Sequence, residues 1–198
     1  MDKQTLLFAG PQGSGKGTQI ELLKQRIAEL DVAQPIVHFE MGKQLRELGT
    51  HTDFSGTHTH DILVAGGLIP YAVSSSLFAQ YLINNLKTND EHLLIDGFPR
   101  TATQVPMLDS ALVEFYARKN PTVLVINISD EEAVARLLKR GRNDDTEESI
   151  RTRLAWSREE TMPNIEWFRT NSNYRVVDID GERSVEEIQK EIRATLGL

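Results

Sequence analysis

Five short apolar runs alternate with helical patterns along the chain, and this alternation constrains the fold more than any other feature. The runs are Leu6–Ala9, Ile36–Phe39, His92–Ile95, Thr122–Ile128 and Tyr174–Ile179. Apolar runs without hydrophobic–polar alternation are typical of a parallel sheet that helices cover on both faces. Right-handed crossovers between the strands predict an α/β fold with a doubly wound, five-stranded parallel sheet. Ligands of such a sheet bind at the carboxyl ends of its strands.

Helical patterns fill the stretches between these runs. In the first, Ile20, Leu23 and Ile27 recur at i, i+3 and i+7. The others lie near residues 71–87, 101–118, 130–140, 146–158 and 184–196. Two stretches interrupt the alternation: residues 40–70, which are rich in Gly, Thr and His, and the polar residues 141–146. Insertions at such positions often cover a site, so we expect both to lie near the ligand.

Composition narrows the classes of function. The 198 residues suit a single domain over 1–198, and 22 basic against 29 acidic residues give a net charge of −7. That charge argues against nucleic acid or a membrane surface as a partner. The chain contains no cysteine, which excludes disulfides, a cysteine nucleophile and thiolate zinc sites. It has no apolar run long enough to span a membrane and no signal-peptide pattern, so we expect a cytoplasmic protein, and a monomer by default.

The segment GPQGSGKGT, which ends at Thr18, predicts a phosphate-binding loop between the first strand and the first helix. Gly10, Gly15 and Lys16 have the spacing of such a loop, although Gly17 occupies the usual Ser/Thr position. Glycines let backbone N–H groups approach phosphate oxygens, the start of the helix directs its positive end there, and the lysine adds a mobile charge. The alternative is a structural Gly-rich turn. The residues predicted to hold a polyphosphate are Gly13, Ser14, Gly15, Lys16, Gly17 and Thr18.

A second motif, DGFPR, follows the third apolar run. An acid at a strand end beside a phosphate loop is well placed to bind the waters of a Mg²⁺ ion. Asp96 is therefore predicted to contact the metal through water. Gly97 and Pro99 define a turn, and Arg100 is then placed for bidentate phosphate binding. On its own the motif could be a structural turn.

Four segments together resemble the adenylate kinases and, more broadly, the nucleoside monophosphate kinases. They are GPQGSGKGTQ at 10–19, GGLIP at 66–70, DGFPRTATQ at 96–104 and RLLKRGRNDDTEESIRTRL at 136–154, so the resemblance covers nearly the whole chain. It implies transfer of the terminal phosphoryl of MgATP onto AMP, with ATP and AMP as ligands and two ADP as products. It also implies a P-loop NTPase type of sheet with a small helical NMP-binding insertion at 40–70 and a short, minimal lid at 141–146. Only Gly141 separates Arg140 from Arg142, which leaves no room for a zinc knuckle.

The resemblance also implies roles for individual residues. Donor ATP would contact the phosphate loop, Arg136, Arg140 and the backbone near Arg183. The acceptor site would comprise Met41, Arg46, Gly67, Leu68, Ile69, Gly97, Arg100, Gln104, Arg142 and Arg153. Within it, Arg46 and Arg100 would hold the phosphate and Gln104 the base, while Arg142 and Arg153 would reach both phosphate chains. The catalytic set would be Lys16, Arg100, Arg140, Arg142 and Arg153, with Mg²⁺ on Asp96 through water.

The segment HFEMGKQLR, residues 38–46, departs from the family's usual HISTGDMLR. Met41 replaces a threonine near the acceptor base, which keeps UMP/CMP kinases as an alternative. Lys43 replaces an aspartate close to the waters of the metal. We expect Lys43 to bind phosphate, leaving Asp96 as the main acid and weakening the Mg²⁺ requirement for binding. These changes also leave open a catalytically weakened nucleotide-binding protein, and a P-loop kinase for a small metabolite is a third alternative.

Histidines and large aromatic residues are expected to be structural. His51, His58 and His60 fall in the irregular 40–70 insertion, where a solvated loop is favoured over a metal site. Trp156, Trp167 and Phe168 have helix-like spacing and are expected in the core rather than against a base.

Overall fold

The computed structural model describes residues 2–142 and 145–198 and contains one five-stranded parallel sheet. The strands are β1 (Thr5–Ala9), β2 (Ile36–Glu40), β3 (His92–Asp96), β4 (Thr122–Asn127) and β5 (Arg175–Asp180). Their spatial order is β2-β3-β1-β4-β5, and every neighbouring pair is parallel. The predicted doubly wound α/β class is confirmed.

Helices precede or follow each strand and cover both faces of the sheet. They are α1 (Lys16–Leu30), α2 (Met41–Leu48), α3 (Phe54–Val64), α4 (Tyr71–Asn85), α5 (Val105–Asp109), α6 (Asp130–Arg140), α7 (Glu147–Trp156), α8 (Pro163–Thr170) and α9 (Val185–Leu196). A 3₁₀ turn at Ala102–Gln104 leads into α5, and π-helical turns at Ser110–Phe115 and Ser157–Thr161 continue α5 and α7. None of the helices described in this structure is both long and apolar enough to cross a membrane.

Side chains of the central strands alternate between two apolar clusters on opposite faces of the sheet. On β1, Leu7 packs with Phe39 and Phe78 on one face, and Leu6 packs with Ile20 on the other. These residues are at most 2% exposed. Both faces of a strand are therefore buried, which explains why its sequence is a continuous apolar run. Truncation of one such side chain to alanine costs about 2 to 5 kcal/mol of stability.

The carboxyl end of β1 lies between those of β3 and β4. Phe8 is in register with Asp96 of β3, and Ala9 with Val125 of β4. The loop that follows β1 and the turn that follows β3 therefore emerge side by side. Glu40, the last residue of β2, is in register with Asp96 as well. The phosphate loop after β1, Glu40 at the end of β2 and Asp96 at the end of β3 thus meet at one edge of the sheet.

The insertion at 40–70 is helical, as the family resemblance implies, with α2 and α3 where a solvated loop was expected around the histidines. Helix α3 begins where the Asp53 side chain accepts a hydrogen bond from the Gly56 N–H at 2.8 Å. His58 and His60 lie on this helix, and all three insertion histidines are exposed. Helix α8 was also absent from the predicted elements. Of the expected lid at 141–146, Asn143 and Asp144 lie outside the described residues.

Candidate active site

The loop between β1 and α1 folds as a tight turn that requires glycine. Gly10, Gly13 and Gly15 have φ angles of +124°, +87° and +90°. A Cβ at Gly10 would lie 2.2 Å from the Ile126 carbonyl oxygen, so no other residue fits there. Helix α1 begins at Lys16, directly after the loop. The N-terminal end of a helix and the loop N–H groups therefore share one small volume, as an anion site requires.

Lys16 folds back over this loop. Its Nζ donates hydrogen bonds to the carbonyl oxygens of Gly10 at 2.9 Å and Pro11 at 2.7 Å. Burial lowers the pKa of Lys16, Asp96 opposes that effect, and Arg100 and Arg140 add to it. The third partner of Lys16 Nζ is the Ser14 hydroxyl at 3.3 Å, and a cation held only by neutral oxygens is electrostatically under-compensated, so this ammonium group favours an anionic ligand.

The turn after β3 holds both the side chain and the backbone of Arg100 by hydrogen bonds. Its Nε donates to the Gly97 carbonyl oxygen at 2.8 Å, and its backbone N–H donates to Gln104 Oε1 at 2.6 Å. Gly97 has φ +74°, and a Cβ there would lie 2.9 Å from Arg100 Nη2. Burial lowers the pKa of Arg100, Asp96 acts against this, and Arg46 and Arg153 reinforce it. A guanidinium so placed lies among other cations and is suited to bind a phosphate.

A cavity of about 960 Å³ connects these segments. Its size lies at the upper end of the range for ligand pockets. Most of the residues implied by the family resemblance line it: Gly13, Ser14, Gly15, Lys16, Gly17, Thr18, Arg46, Gly67, Asp96, Gly97, Arg100, Arg136, Arg140, Arg142, Arg153 and Arg183. Six arginines and the loop lysine therefore face a common space from different elements of an acidic protein, with Arg183 as a seventh arginine at one end.

Four of the expected acceptor residues do not line the cavity in this structure. Met41 is 1% exposed and packs in the core, as does Ile69. Leu68 is partly buried outside the cavity. Gln104 is buried, and its Nε2 donates to Ser74 Oγ at 2.8 Å while its Oε1 supports the Arg100 turn. The end of the cavity near Arg46 is the expected acceptor end. Its lining includes instead Leu45, Thr50, His60, Leu63 and Val64.

Of the two charged residues Glu40 and Lys43, the one that lines the wall at this end of the cavity is Glu40. Glu40 lines the cavity and its Oε1 accepts a hydrogen bond from Arg46 Nη2 at 2.9 Å. Lys43 is exposed on α2 and does not line the cavity. The expected contact of Lys43 with phosphate is therefore not supported by this arrangement. Glu40 is a cavity residue that sequence reasoning missed, although its position at the end of an apolar run marked it.

Asp145 is a second missed residue, and it joins two of the predicted arginines. Its Oδ2 and Oδ1 accept hydrogen bonds from Arg140 Nε and Nη2, both at 2.9 Å, and Oδ1 also accepts from Arg153 Nη2 at 2.8 Å. The Asp145 side chain is fully buried. Burial alone would raise the pKa of Asp145, but the hydrogen bonds from Arg140 and Arg153 outweigh it and lower that pKa. The carboxylate orients two guanidinium groups toward one wall of the cavity.

Arg136 and Arg183 lie where α6 approaches the turn after β5. Arg136 donates from Nε to Glu132 at 2.6 Å and from Nη1 to the Gly181 carbonyl oxygen at 2.9 Å. Arg183 forms an ion pair with Glu191, and the hydrogen bond in this pair raises the pKa of Arg183. Two flat cationic groups thus line the end of the cavity beyond the phosphate loop, where a base could stack.

Two of the three aromatic residues expected in the core lie in it or pack against it. Phe168 is 1% exposed and contacts Trp167 edge-on, with ring centroids 5.2 Å apart, so both are in or against the core as expected. For Trp156 the core expectation is wrong, because its ring lines the cavity beside Arg100. Within residues 2–142 and 145–198 no three His, Cys, Asp or Glu side chains are grouped to hold a metal ion directly.

A parallel sheet with a glycine loop, a lysine, an acid on the adjacent strand and arginines around one cavity defines a P-loop phosphotransferase of the nucleotide kinase type. Comparison with known proteins makes the family definite. The family model for adenylate kinase matches residues 8–173. The chain therefore belongs to the adenylate kinase family, and the resemblance read from its motifs is confirmed.

Full-length relatives support the same family. The chain is 33% identical over 192 residues to adenylate kinase 1 of Nostoc sp., covering 97% of this chain and 98% of that protein. It is 36% identical over 185 residues to the adenylate kinase of Corynebacterium urealyticum, covering 93% and 94%. It is 36% identical over 197 residues to that of Prochlorococcus marinus strain MIT 9303, covering 98% and 99%. The similarity thus extends over the sheet, the insertion and the arginine helices alike.

Proposed function

We propose that this chain transfers the terminal phosphoryl group of MgATP to AMP and so forms two ADP. The observation that carries this proposal is a single cavity that runs from the phosphate loop to the Arg46 and Arg100 side, with Arg140, Arg142 and Arg153 along its wall. A hydrolase or a simple ATP-binding protein needs one cationic phosphate site. Two sites that share a set of arginines suit a reaction between two phosphorylated ligands.

The phosphate loop would bind the donor. Its N–H groups and the start of α1 would face the β-phosphate, and Lys16 Nζ would exchange its carbonyl partners, which are 2.7 and 2.9 Å away, for phosphate oxygens. This exchange is favourable because an anion compensates the buried ammonium group better than two neutral carbonyls do. Arg136 and Arg183 would contact the adenine at the far end of the donor site.

The arginine wall would stabilise the group in transit. In-line phosphoryl transfer needs alignment and charge stabilisation rather than a protein nucleophile. Arg140 and Arg153 are already oriented by Asp145, so little reorganisation is required when the negative charge spreads over the transferring group. Arg46 and Arg100 would hold the acceptor phosphate on the opposite side. Closure around both ligands would exclude water and prevent hydrolysis of ATP.

The residues present fit a Mg²⁺ ion that is held through its waters. The Asp96 carboxylate lines the cavity at the end of β3, and among the described residues it has no direct hydrogen bond or ion pair. Asp96 would therefore accept hydrogen bonds from metal-bound water, with Glu40 in register beside it. When bound, Mg²⁺ neutralises charge on the β- and γ-phosphates.

Met41 packs in the core and Gln104 supports the Arg100 turn, so neither side chain fixes the choice of acceptor base. A UMP/CMP kinase is thus the second candidate. Screening AMP, dAMP, CMP, UMP and GMP with MgATP in a coupled ADP assay decides between them. AMP is expected to react fastest. Preference for a pyrimidine nucleotide selects the second candidate, and ATP binding without ADP formation contradicts both.

A further inference from the structure

Trp156 is a cavity residue for which the proposed mechanism has no role. It lies at the end of α7, is partly buried, and its ring lines the cavity. It belongs to none of the three apolar clusters found among the described residues. Packing in the core therefore does not account for this large side chain. Its N–H group and its ring face have two different partners, which come from two different segments.

The indole N–H joins α7 to the end of the 40–70 insertion. Trp156 Nε1 donates a hydrogen bond to the Gly66 carbonyl oxygen at 2.9 Å. The two segments are also in close backbone contact, since a Cβ on Gly66 would lie 2.9 Å from the Ser149 carbonyl oxygen of α7. The neighbouring Gly67 lines the acceptor end of the cavity. The hydrogen bond thus fixes this end of the cavity relative to the helix that carries Arg153.

The indole ring covers one face of Arg100. The guanidinium carbon lies 5.4 Å from the ring centroid, within the distance of a cation–π interaction. Arg100 Nε is held by the Gly97 carbonyl oxygen at 2.8 Å. Stacking on the ring removes water from one face of the guanidinium and restricts its rotation, while its edge stays available for a planar, bidentate contact with phosphate.

We infer that Trp156 is a positioning residue for acceptor binding: it holds Arg100 in place for the acceptor phosphate and connects α7 with the end of the insertion. The inference rests on the proposed function, in which Arg100 contacts the acceptor rather than the donor. It follows that loss of the ring affects the acceptor more than ATP. A residue with a merely structural role would lower stability without separating the two substrates.

Steady-state kinetics of matched tryptophan variants test this role. Trp156→Leu removes both contacts, and we expect the KM for AMP to rise about 2- to 30-fold, the range of a cation–π contact, with the KM for ATP within about twofold. Trp156→Phe keeps an aromatic face and is expected to restore most of the affinity for AMP. Trp167→Leu, the same change in the core, is expected to lower Tm and leave both KM values unchanged.

Fluorescence gives a readout that is independent of turnover. The chain has two tryptophans, so Trp167→Phe leaves Trp156 as the sole emitter. Titration with AMP alone is expected to change its emission with a midpoint near the KM for AMP, because the stacked guanidinium gains a phosphate partner. This measurement also covers the case in which Trp156→Leu does not fold.

The inference is overturned if folded Trp156→Leu has an unchanged KM for AMP, or changes both KM values equally. It is also overturned if calorimetry shows AMP bound while Trp156 emission stays constant. Absence of ADP formation by the unmodified chain is a different failure, because it contradicts the proposed function itself.

Discussion

Glu40 Oε1 accepts a hydrogen bond from Arg46 Nη2 at 2.9 Å, and both side chains line the acceptor end of the cavity. Arg46 is expected to hold the acceptor phosphate, so the carboxylate and the phosphate compete for the same guanidinium. Partly exposed ion pairs contribute about 0.2 to 1 kcal/mol. The pair therefore lowers acceptor affinity without preventing binding.

Glu40→Gln should lower the KM for AMP about two- to fivefold, because Arg46 no longer has to leave a charged partner. Initial rates at saturating MgATP measure this change. Glu47→Gln is the control, since Glu47 is exposed on α2 and does not line the cavity. A higher KM for AMP in Glu40→Gln would show that the carboxylate assists the acceptor instead.

Asp145→Asn should destabilise the protein by about 3 kcal/mol and lower kcat, because Arg140 and Arg153 lose their shared buried counter-ion. Urea denaturation measures the free energy of unfolding. Asp178→Asn is the matched control, since its ion pair with Arg169 is exposed and should cost less than about 1 kcal/mol. Equal losses in the two variants would contradict the role given to Asp145.

The stabilities of the original chain and of Asp145→Asn should depend differently on pH. The pKa of Asp145 is lowered by folding, so its contribution to stability is complete above the pKa of an unfolded aspartate, about 3.9. That contribution is lost as the pH falls further, through the lowered pKa of the folded state. The difference in unfolding free energy between the original chain and Asp145→Asn should therefore be constant near pH 6 and shrink below about pH 4. A difference that grows on acidification would be the wrong sign.

Lys16→Met should reduce kcat at least about 100-fold, since the charge on the donor phosphates is no longer compensated. The Tm without nucleotide should be unchanged or higher, because an apolar side chain of similar length avoids the cost of burying the ammonium group that lowers the pKa of Lys16. Lys24→Met, on the exposed side of the same helix, should retain activity. Near-normal turnover in Lys16→Met would refute the mechanism.

Asp96→Asn should raise the Mg²⁺ concentration for half-maximal activity about 10- to 100-fold, as loss of an outer-shell carboxylate does. Lys43→Asp should leave this concentration unchanged, because Lys43 is exposed outside the cavity. Magnesium titrations at fixed ATP and AMP measure both. A shift in Lys43→Asp would restore the expectation that this side chain acts on the metal or the phosphates.

The sheet and the phosphate loop were predictable because local rules decide them. A strand buried on both faces must be a continuous apolar run, and a loop with φ angles near +90° must contain glycine. Which way a side chain points from the end of an element is decided by tertiary packing. The family resemblance implied that Met41 and Gln104 lie near the acceptor base, whereas in this structure Met41 packs in the core and Gln104 supports the Arg100 turn.

Trp156 was mispredicted, and the residues of α3 alone did not indicate a helix, each for a different physical reason. A half-buried indole has the same helical spacing as a core residue, and only its contacts with Gly66 and Arg100 distinguish the two. Helix α3 contains residues of low helix propensity, so its residues favoured a solvated loop around the histidines, although the family resemblance implied a helical insertion. The Asp53 cap and packing against α2 stabilise it nonetheless.

The strand order β2-β3-β1-β4-β5 places the segments for the two ligands on opposite halves of the sheet. The acceptor segments follow β2 and β3, the predicted adenine contacts of the donor follow β4 and β5, and the phosphate loop follows the central strand. The base contacts of the two ligands can therefore be exchanged separately, provided that a graft keeps Gly66 and Arg100, which contact Trp156 in the other half. A chimera that takes residues 36–104 from a pyrimidine-specific relative should inherit that relative's acceptor preference and keep its own preference for ATP.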